Sequence, residues 1–426
     1  MVINSRFLIN RIAFSLLLVV NYSFTLSSFA QNSTILSKQS IHQNQAQQQI
    51  LQRQQIQRQQ HQALKEELKP NKEYNPPTPR VKYDFSYNPN EVGVKAYRKA
   101  FDRMLQMDSD PSLFTLKDAV FLNEDAFFNN TADYPQFNNI IDQIGEFLLE
   151  EIEKSGYDTS NNLAKNLMLY RFFTDTIQLP NGKYHLPFKY DFEDYMGDED
   201  YSKHFVTKLL FENSGQCHSL PLLYLILAER IGAEAYLAIS PNHTYVKFPL
   251  PNGGYQNIEL TSNVMTSNAH ILQSGYIKAE ALQNKVYMNP LSQKELLSFT
   301  ITDLINSYVW KYGFDPFVQE MLDKALELFP NNIVAHKLLS NYYTNRFLYV
   351  SDQIGLTANN YQSKLKQYPK AKELLKQRDA IYDQIDFLGY SPMPKEAYES
   401  WLQSMEEEKQ KKDQKELLIK FDQSAR

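Results

Sequence analysis

One stretch of the chain combines a predicted apolar helix with three predicted short strands. The helix is indicated over 216–231, where leucine and isoleucine recur at the three- and four-residue steps of an α-helix: Leu220, Leu223, Leu227 and Ile231. Gly232 follows as a typical C-terminal cap. Pro221 falls in the first turns, where a missing amide donor costs least.

Three strands are predicted after this helix: Ala235–Ile239, His243–Phe248 and Tyr255–Leu260. The turn-forming residues Pro251, Asn252, Gly253 and Gly254 join the last two strands as a hairpin. The chain therefore carries a helix followed by a small antiparallel sheet.

The register of this hairpin follows from its apolar residues. Val246 and Phe248 share a face with the apolar residues of the next strand only if Val246 lies opposite Ile258 or Leu260. That register places four other side chains together on the opposite face: His243, Tyr245, Asn257 and Glu259. A slip of one residue would reverse every side chain of the strand and break both sets.

Helical periodicity dominates the rest of the globular part, which is predicted to begin near Val81. Helices are expected over Glu91–Met107, Asn138–Ser155 and Asn161–Asp175, and throughout the chain from Ser292 onward. Only 13 residues are glycine, and 42% are hydrophobic, so a β-rich architecture is not expected but a substantial core is. The predicted fold class is α+β.

The predicted helix start holds the single cysteine of the chain, Cys217. The amide donors and the partial positive charge at a helix N-terminus favour a thiolate, which is the nucleophilic form of cysteine. His243, at the start of a strand, is the candidate general base and acid, and Glu259 is the candidate that orients its ring. The alternative is an ordinary buried cysteine, a common core residue.

Three amide side chains are further candidates near this group. Gln216 and Asn213 are candidates for stabilising an oxyanion, and the backbone amide of Cys217 is an equally good one. Asn257 is the next candidate for orienting His243 if Glu259 does not do so.

A cysteine that opens an apolar helix, a strand that begins with histidine and an acid on the next strand resemble the transglutaminase-like superfamily. The resemblance covers about residues 206–261. It implies a papain-like core in which Cys217 is the nucleophile, His243 the base and Glu259 occupies the position usually held by aspartate. The helices that precede Cys217 resemble the usual lead-in of bacterial members. Residues 81–290 are accordingly assigned to a transglutaminase-like domain with N-terminal helices.

The helices that follow have a second resemblance. Ala325 and Pro330 close one helix, and Leu339, Ser340 and Tyr343 lie on the next, a spacing that resembles a tetratricopeptide repeat. Residues 291–390 are therefore predicted to form a tetratricopeptide-like helical region. The charged residues 391–426 are predicted to form a helical, solvent-exposed tail.

The N-terminus has the pattern of a secretory signal. Arg6 and Arg11 supply the positive segment before the apolar run Ala13–Val20, and Ser28 and Ala30 are the small residues that a signal peptidase reads. Residues 1–30 are predicted to be a cleaved signal, with an uncleaved anchor as the alternative. Residues 31–80 are predicted to form a Gln-rich linker, disordered or helical. These features predict an exported protein, periplasmic or secreted, without a stable membrane span after cleavage.

Charge and composition exclude some partners. The formal net charge of −5 gives no electrostatic case for nucleic acid. The acidic run from Asp191 to Asp200 lacks the ligand order of an EF-hand, so a solvated loop is expected there in preference to a calcium site. No cofactor and no metal are predicted.

The predicted biochemistry is a thiol-dependent reaction at amide bonds, either hydrolysis by a cysteine peptidase or amidase, or acyl transfer by a transglutaminase. The expected substrate is a protein or peptide, with cell-wall peptide as one candidate. The alternative is a catalytically inactive scaffold whose helical repeats bind a protein partner.

Overall fold

The computed structural model describes residues 81–273 and 276–424. The predicted signal (1–30) and Gln-rich linker (31–80) lie outside the described residues. The described chain forms many helices, one four-stranded antiparallel sheet and two shorter strand pairs, in agreement with the predicted α+β class.

The helices are α1 (Val92–Ser109), α2 (Leu116–Phe127), α3 (Tyr134–Lys154), α4 (Asn162–Thr174), α5 (Val206–Glu212), α6 (Ser219–Arg230), α7 (Asn268–Gln273), α8 (Ala279–Gln283), α9 (Gln293–Tyr312), α10 (Pro316–Leu328), α11 (Ile333–Gln353), α12 (Tyr361–Gln367), α13 (Pro369–Phe387) and α14 (Lys395–Ser424). The strands are β1 (Ile177–Gln178), β2 (Tyr184–His185), β3 (Lys189–Tyr190), β4 (Ser214–Gly215), β5 (Tyr236–Ser240), β6 (His243–Pro249), β7 (Tyr255–Glu259) and β8 (Val264–Thr266).

Strands β5 to β8 form an antiparallel sheet in sequence order. Val246 of β6 lies opposite Ile258 of β7, which confirms the predicted register. His243, Tyr245, Asn257 and Glu259 consequently share one face of the hairpin, since side chains alternate along a strand. Strand β8, which pairs with β7, was not predicted.

Both faces of this hairpin are buried. The apolar face contains Val246, Phe248 and Ile258, and all are almost fully excluded from solvent. On the other face Glu259 is only 5% exposed and His243 only 6%. The sequence pattern alone suggests an exposed carboxylate on a sheet face at Glu259, and the structure shows instead that it is buried. A buried carboxylate needs a partner, because its charge is otherwise costly to desolvate.

A cluster of buried residues unites helices from distant parts of the chain. It includes Tyr97 of α1, Ile305 and Tyr308 of α9, Phe317 of α10 and Tyr342 of α11. Capping side chains stabilise the N-termini of two of these helices. Ser292 and Glu295 form a reciprocal capping box at the start of α9, and Asp315 caps α10. The cluster crosses the boundary predicted at residues 290–291.

The chain divides into two compact units. The larger contains Asp84–Ile177, His185–Leu348 and Leu374–Arg426, and it includes every candidate site residue. In the smaller unit, the described residues are 81–83, Gln178–Tyr184 and Tyr349–Glu373. Within it, the Gln353 side chain bonds the backbone of Lys82, accepting from its amide and donating to its carbonyl.

Among the described residues, no helix is both long and apolar enough to cross a membrane.

Candidate active site

Cys217 lies in a turn immediately before α6, and two short strands hold that turn in place. Strand β3 pairs in parallel with β4, so that Tyr190 lies beside Gly215. The amide of Asp191 extends this pairing by donating to the Gly215 carbonyl at 2.8 Å. A Cβ atom at Gly215 would come within 2.6 Å of Ser219 Oγ, so glycine permits this close approach.

The helix begins at Ser219 and not at Gln216, so Cys217 precedes its first turn. Pro221 explains the difference, because it has no amide hydrogen to bond the Cys217 carbonyl four residues earlier. That carbonyl instead accepts a hydrogen bond from the Thr244 hydroxyl. Thr244 follows His243 on β6. Its hydrogen bond therefore links the backbone of Cys217 directly to the strand that carries the candidate base.

We expect Thr244→Val to remove this hydrogen bond, because valine keeps the shape of threonine but cannot donate to the Cys217 carbonyl. The alkylation rate of Cys217 should fall about three- to ten-fold, and the free energy of unfolding by about 1 kcal/mol. Thr244→Ser retains the hydroxyl and is the matched control. Intact-mass kinetics with iodoacetamide and denaturant titration measure the two effects. Equal values for the valine and serine variants would show that the bond is unimportant.

His243 and Glu259 form a direct ion pair across the hairpin. His243 Nε2 lies 2.6 Å from Glu259 Oε2, and the other carboxylate oxygen accepts a bond from the Thr261 amide at 2.9 Å. Burial disfavours the charged imidazole, but the charge of Glu259 and hydrogen bonds outweigh it and raise the pKa of His243 to about 10. Burial likewise opposes ionisation of Glu259, yet the paired imidazolium lowers the pKa of that carboxyl.

Nδ1, the second ring nitrogen of His243, is free to act on Cys217. It is buried and has no hydrogen-bond partner among the described residues. Nδ1 forms no hydrogen bond with the thiol, but the ring and the thiol still interact. Burial would raise the pKa of Cys217, and the interaction with the His243 ring reverses this and lowers it. The arrangement favours a thiolate–imidazolium pair whose imidazolium is stabilised by a carboxylate.

The three amide candidates are engaged in other bonds. Gln216 Nε2 donates to the Asp194 carbonyl, and Asn257 Nδ2 donates to Asn268 Oδ1 at 2.9 Å. Asn213 adopts the left-handed conformation that ends α5, and its Nδ2 donates to the Pro187 carbonyl at 3.0 Å. Gln216 is nevertheless fully buried next to Cys217, and the hydrogen bond from its side-chain amide to Asp194 helps to hold the turn in place.

The acidic run is part of the same support. The Asp194 carboxylate accepts bonds from the amides of Asp198 and Asp200, at 2.8 and 3.0 Å, and is almost fully buried. The predicted solvated loop is thus folded around one carboxylate, and its backbone bonds Gln216. Within the described residues, no group of three metal-ligating side chains is suitably placed for a metal ion.

His218 follows the nucleophile but belongs to a separate ion pair. Its Nε2 lies 3.1 Å from Asp303 Oδ2 of α9. Burial lowers the pKa of His218, and the charge of Asp303 more than compensates, so that the pKa is raised. When protonated, His218 also favours the thiolate of Cys217.

Two aromatic residues of the last helix, neither predicted as a site residue, contact the candidate catalytic group. Tyr398 Oη lies 3.8 Å from Cys217 Sγ, and the Trp401 ring meets the His243 ring edge-on with centroids 4.6 Å apart. Both belong to α14, which was predicted as a charged, exposed tail. A signal for burial is present in the sequence, since Tyr398, Leu402 and Met405 recur at helical spacing and all three are buried.

In comparisons with known proteins, no family model, no curated protein and no solved structure matched this chain.

Proposed function

We propose that this protein is a thiol-dependent amide hydrolase or acyltransferase that uses a Cys217–His243–Glu259 triad. The main support is one observation: His243 bonds Glu259 through Nε2, its Nδ1 is buried without a partner, and its ring interacts with Cys217. This division of the two ring nitrogens is what a nucleophile, base and orienting acid require.

The proposed reaction has two halves. The Cys217 thiolate attacks the amide carbonyl carbon, the carbon–nitrogen bond breaks, and the His243 imidazolium gives its proton to the departing amine. Water or a second amine then attacks the thioester, the neutral His243 ring takes the proton, and the thiolate leaves. Water as the acceptor gives a peptidase or amidase, and an amine gives a transglutaminase.

We also propose a core fold, a substrate class, an export route and a partner site for this enzyme. A helix that follows the cysteine and packs against β5 and β6 is consistent with a papain-like, transglutaminase-like core. The proposed substrate is a protein or peptide, including cell-wall peptide, and export is proposed from residues 1–30. A partner at the tetratricopeptide-like helices belongs to the same proposal.

The test is the pH dependence of Cys217 alkylation by iodoacetamide. Because Cys217 is the single cysteine, intact mass reports its rate without interference. The folded protein should show a lower midpoint pH than the same chain in denaturant, since the pKa of Cys217 is lowered in the fold. Coincident midpoints would contradict the proposal. Release of peptide fragments from casein, or incorporation of a fluorescent amine into it, separates hydrolysis from transfer, with Cys217→Ala as the control.

A catalytically inactive scaffold is the second candidate, and one observation favours it. The candidate nucleophile and base are both in contact with α14, whose Tyr398 and Trp401 take up space that a substrate would need. If Cys217 titrates as an ordinary thiol in every variant described below, the scaffold is the better description.

A further inference from the structure

The cover segment comprises the first turns of α14, residues 395–405. The helix presents one buried stripe, formed by Tyr398, Leu402 and Met405, which are 2%, 4% and 3% exposed. Gln403 and Ser404, on the opposite side, are exposed. Burial at steps of four and three residues shows that the segment packs with a single face, as an amphipathic helix does.

That face lies on the two reacting groups of the proposed triad. Tyr398 contacts Cys217 and Trp401, three residues later, contacts His243. The two aromatic rings also stack on each other, with centroids 5.5 Å apart and planes 29° from parallel. An amide carbonyl must come to roughly 3–3.5 Å from a nucleophile in order to react. Tyr398 Oη lies only slightly farther than this from the sulfur. A substrate carbonyl and the cover segment would therefore occupy the same space next to Cys217.

Specific polar contacts hold the cover segment in place. Tyr195 donates a hydrogen bond to Glu399 Oε1 at 2.9 Å, and the Tyr195 ring lies 5.7 Å from that of Tyr398. Tyr195 directly follows Asp194, whose carbonyl accepts the bond from Gln216. The acidic run therefore contacts both the cysteine turn and the helix that covers it.

The cover segment is joined to the preceding helix by a short non-helical link. Helix α13 ends at Phe387, and residues 390–394 between the two helices include Pro392 and Pro394. A Cβ atom at Gly389 would lie 2.4 Å from the Ala281 amide nitrogen, so the start of the link is held against α8. Rotation about residues 390–394 would lift α14 as a unit without unfolding either helix.

We propose that the cover segment is an intramolecular lid that keeps the enzyme latent, with Tyr398 over the nucleophile and Trp401 over the base. This inference rests on the proposed function, because latency requires an active triad. It predicts that substrate reaches Cys217 only in the fraction of molecules in which the segment has moved away.

Trp401→Ala tests the lid because it removes a contact without removing a titratable group. The alkylation rate should rise about ten-fold or more at every pH between roughly 5 and 9, with an unchanged midpoint, since the accessible fraction multiplies the rate. Gln403→Ala, on the exposed side of the same helix, is the matched control and should match the wild type.

Reagent size gives a second readout that does not depend on the strength of the nucleophile. The rates for iodoacetamide and for a bulky fluorescein maleimide are each divided by the rate of the unfolded chain. The wild type should exclude the bulky reagent strongly, and Trp401→Ala should reduce that discrimination. Tyr195→Phe, which only deletes the hydroxyl that bonds Glu399, should shift both readouts in the same direction by a smaller amount.

Circular dichroism establishes that each variant is folded, and Tyr195→Phe decides the question if Trp401→Ala is not. Unchanged rates and unchanged size discrimination in the folded variants would overturn the lid and leave the proposed function intact. A midpoint equal to that of the unfolded chain in every folded protein would overturn the proposed function, and with it the latency. Size discrimination would then still report whether the segment covers the sulfur.

Discussion

A His243→Gln variant will alkylate Cys217 about ten-fold or more slowly than the wild type near pH 6.5. An unperturbed thiol with a pKa of about 8.5 is only about 1% ionised at that pH. The loss of thiolate is partly offset because a more basic thiolate is a better nucleophile. Amide turnover should fall further, by about 10²–10⁴-fold, because the general acid for the departing amine is also lost.

The alkylation rate of Cys217 should also depend on pH differently in the wild type and in His243→Gln. The pKa of His243 is raised to about 10, so the imidazolium persists well above neutral pH and the wild-type rate should stay nearly level until then. In His243→Gln the rate should climb with pH as for a free thiol. His270→Gln makes the same chemical change away from the triad and is the control. Equal profiles for both variants would remove His243 from the site.

The second large effect is expected for Glu259→Gln, which keeps the size of the side chain but removes its charge. The imidazolium beside the thiolate loses its stabilisation, and alkylation near neutral pH should slow about ten-fold if the pair is worth over ~1.4 kcal/mol. Because Glu259 is buried, the variant should also lose about 1–3 kcal/mol of unfolding free energy. Glu259→Asp tests the length of the side chain.

The stability loss has a definite pH dependence. The pKa of His243 is raised in the fold, so its contribution is complete below the ordinary histidine value of 6.5 and disappears as pH rises through about 10. The pKa of Glu259 is lowered, so its contribution is complete above the ordinary value of 4.5 and disappears in acid. The difference between wild type and Glu259→Gln should therefore be largest between these two ordinary values.

Denaturant titrations of both proteins at pH 5.5, 7.5 and 9.5 measure this window. The difference should shrink steadily from the first pH to the last. Glu280→Gln, an exposed glutamate of α8, serves as the control and should show no such trend. A difference independent of pH would show that Glu259 acts through packing and not through its charge.

The register of the hairpin could be predicted because alternation along a strand is a local property. Val246 opposite Ile258 follows from the apolar residues alone, and it fixes which side chains accompany His243. The burial of Glu259 could not be predicted in this way. Alternation identifies the two faces of a strand but not what covers them, and the cover at His243 comes from Trp401, far away in the sequence.

The start of the cysteine helix was misplaced for a different reason. Apolar spacing does not show where the first backbone hydrogen bonds form, and Pro221 removes the one that would include the Cys217 carbonyl. The partner that replaces it, Thr244, lies on a distant strand. Composition misled the prediction for α14, whose later charged residues conceal a buried stripe in its first turns.

The stacked pair Tyr398 and Trp401 also bears on the chemical durability of the protein. A thiolate is the form of cysteine that peroxides oxidise, first reversibly to a sulfenic acid and then irreversibly to a sulfinic acid. Cys217 is the single cysteine of the chain, so no neighbouring thiol can capture the first product as an internal disulfide. Within the chain, protection then depends on limiting the approach of the oxidant, and Tyr398 lies against the sulfur on one side. The molecule is then vulnerable to oxidative damage during the intervals in which it is open to substrate.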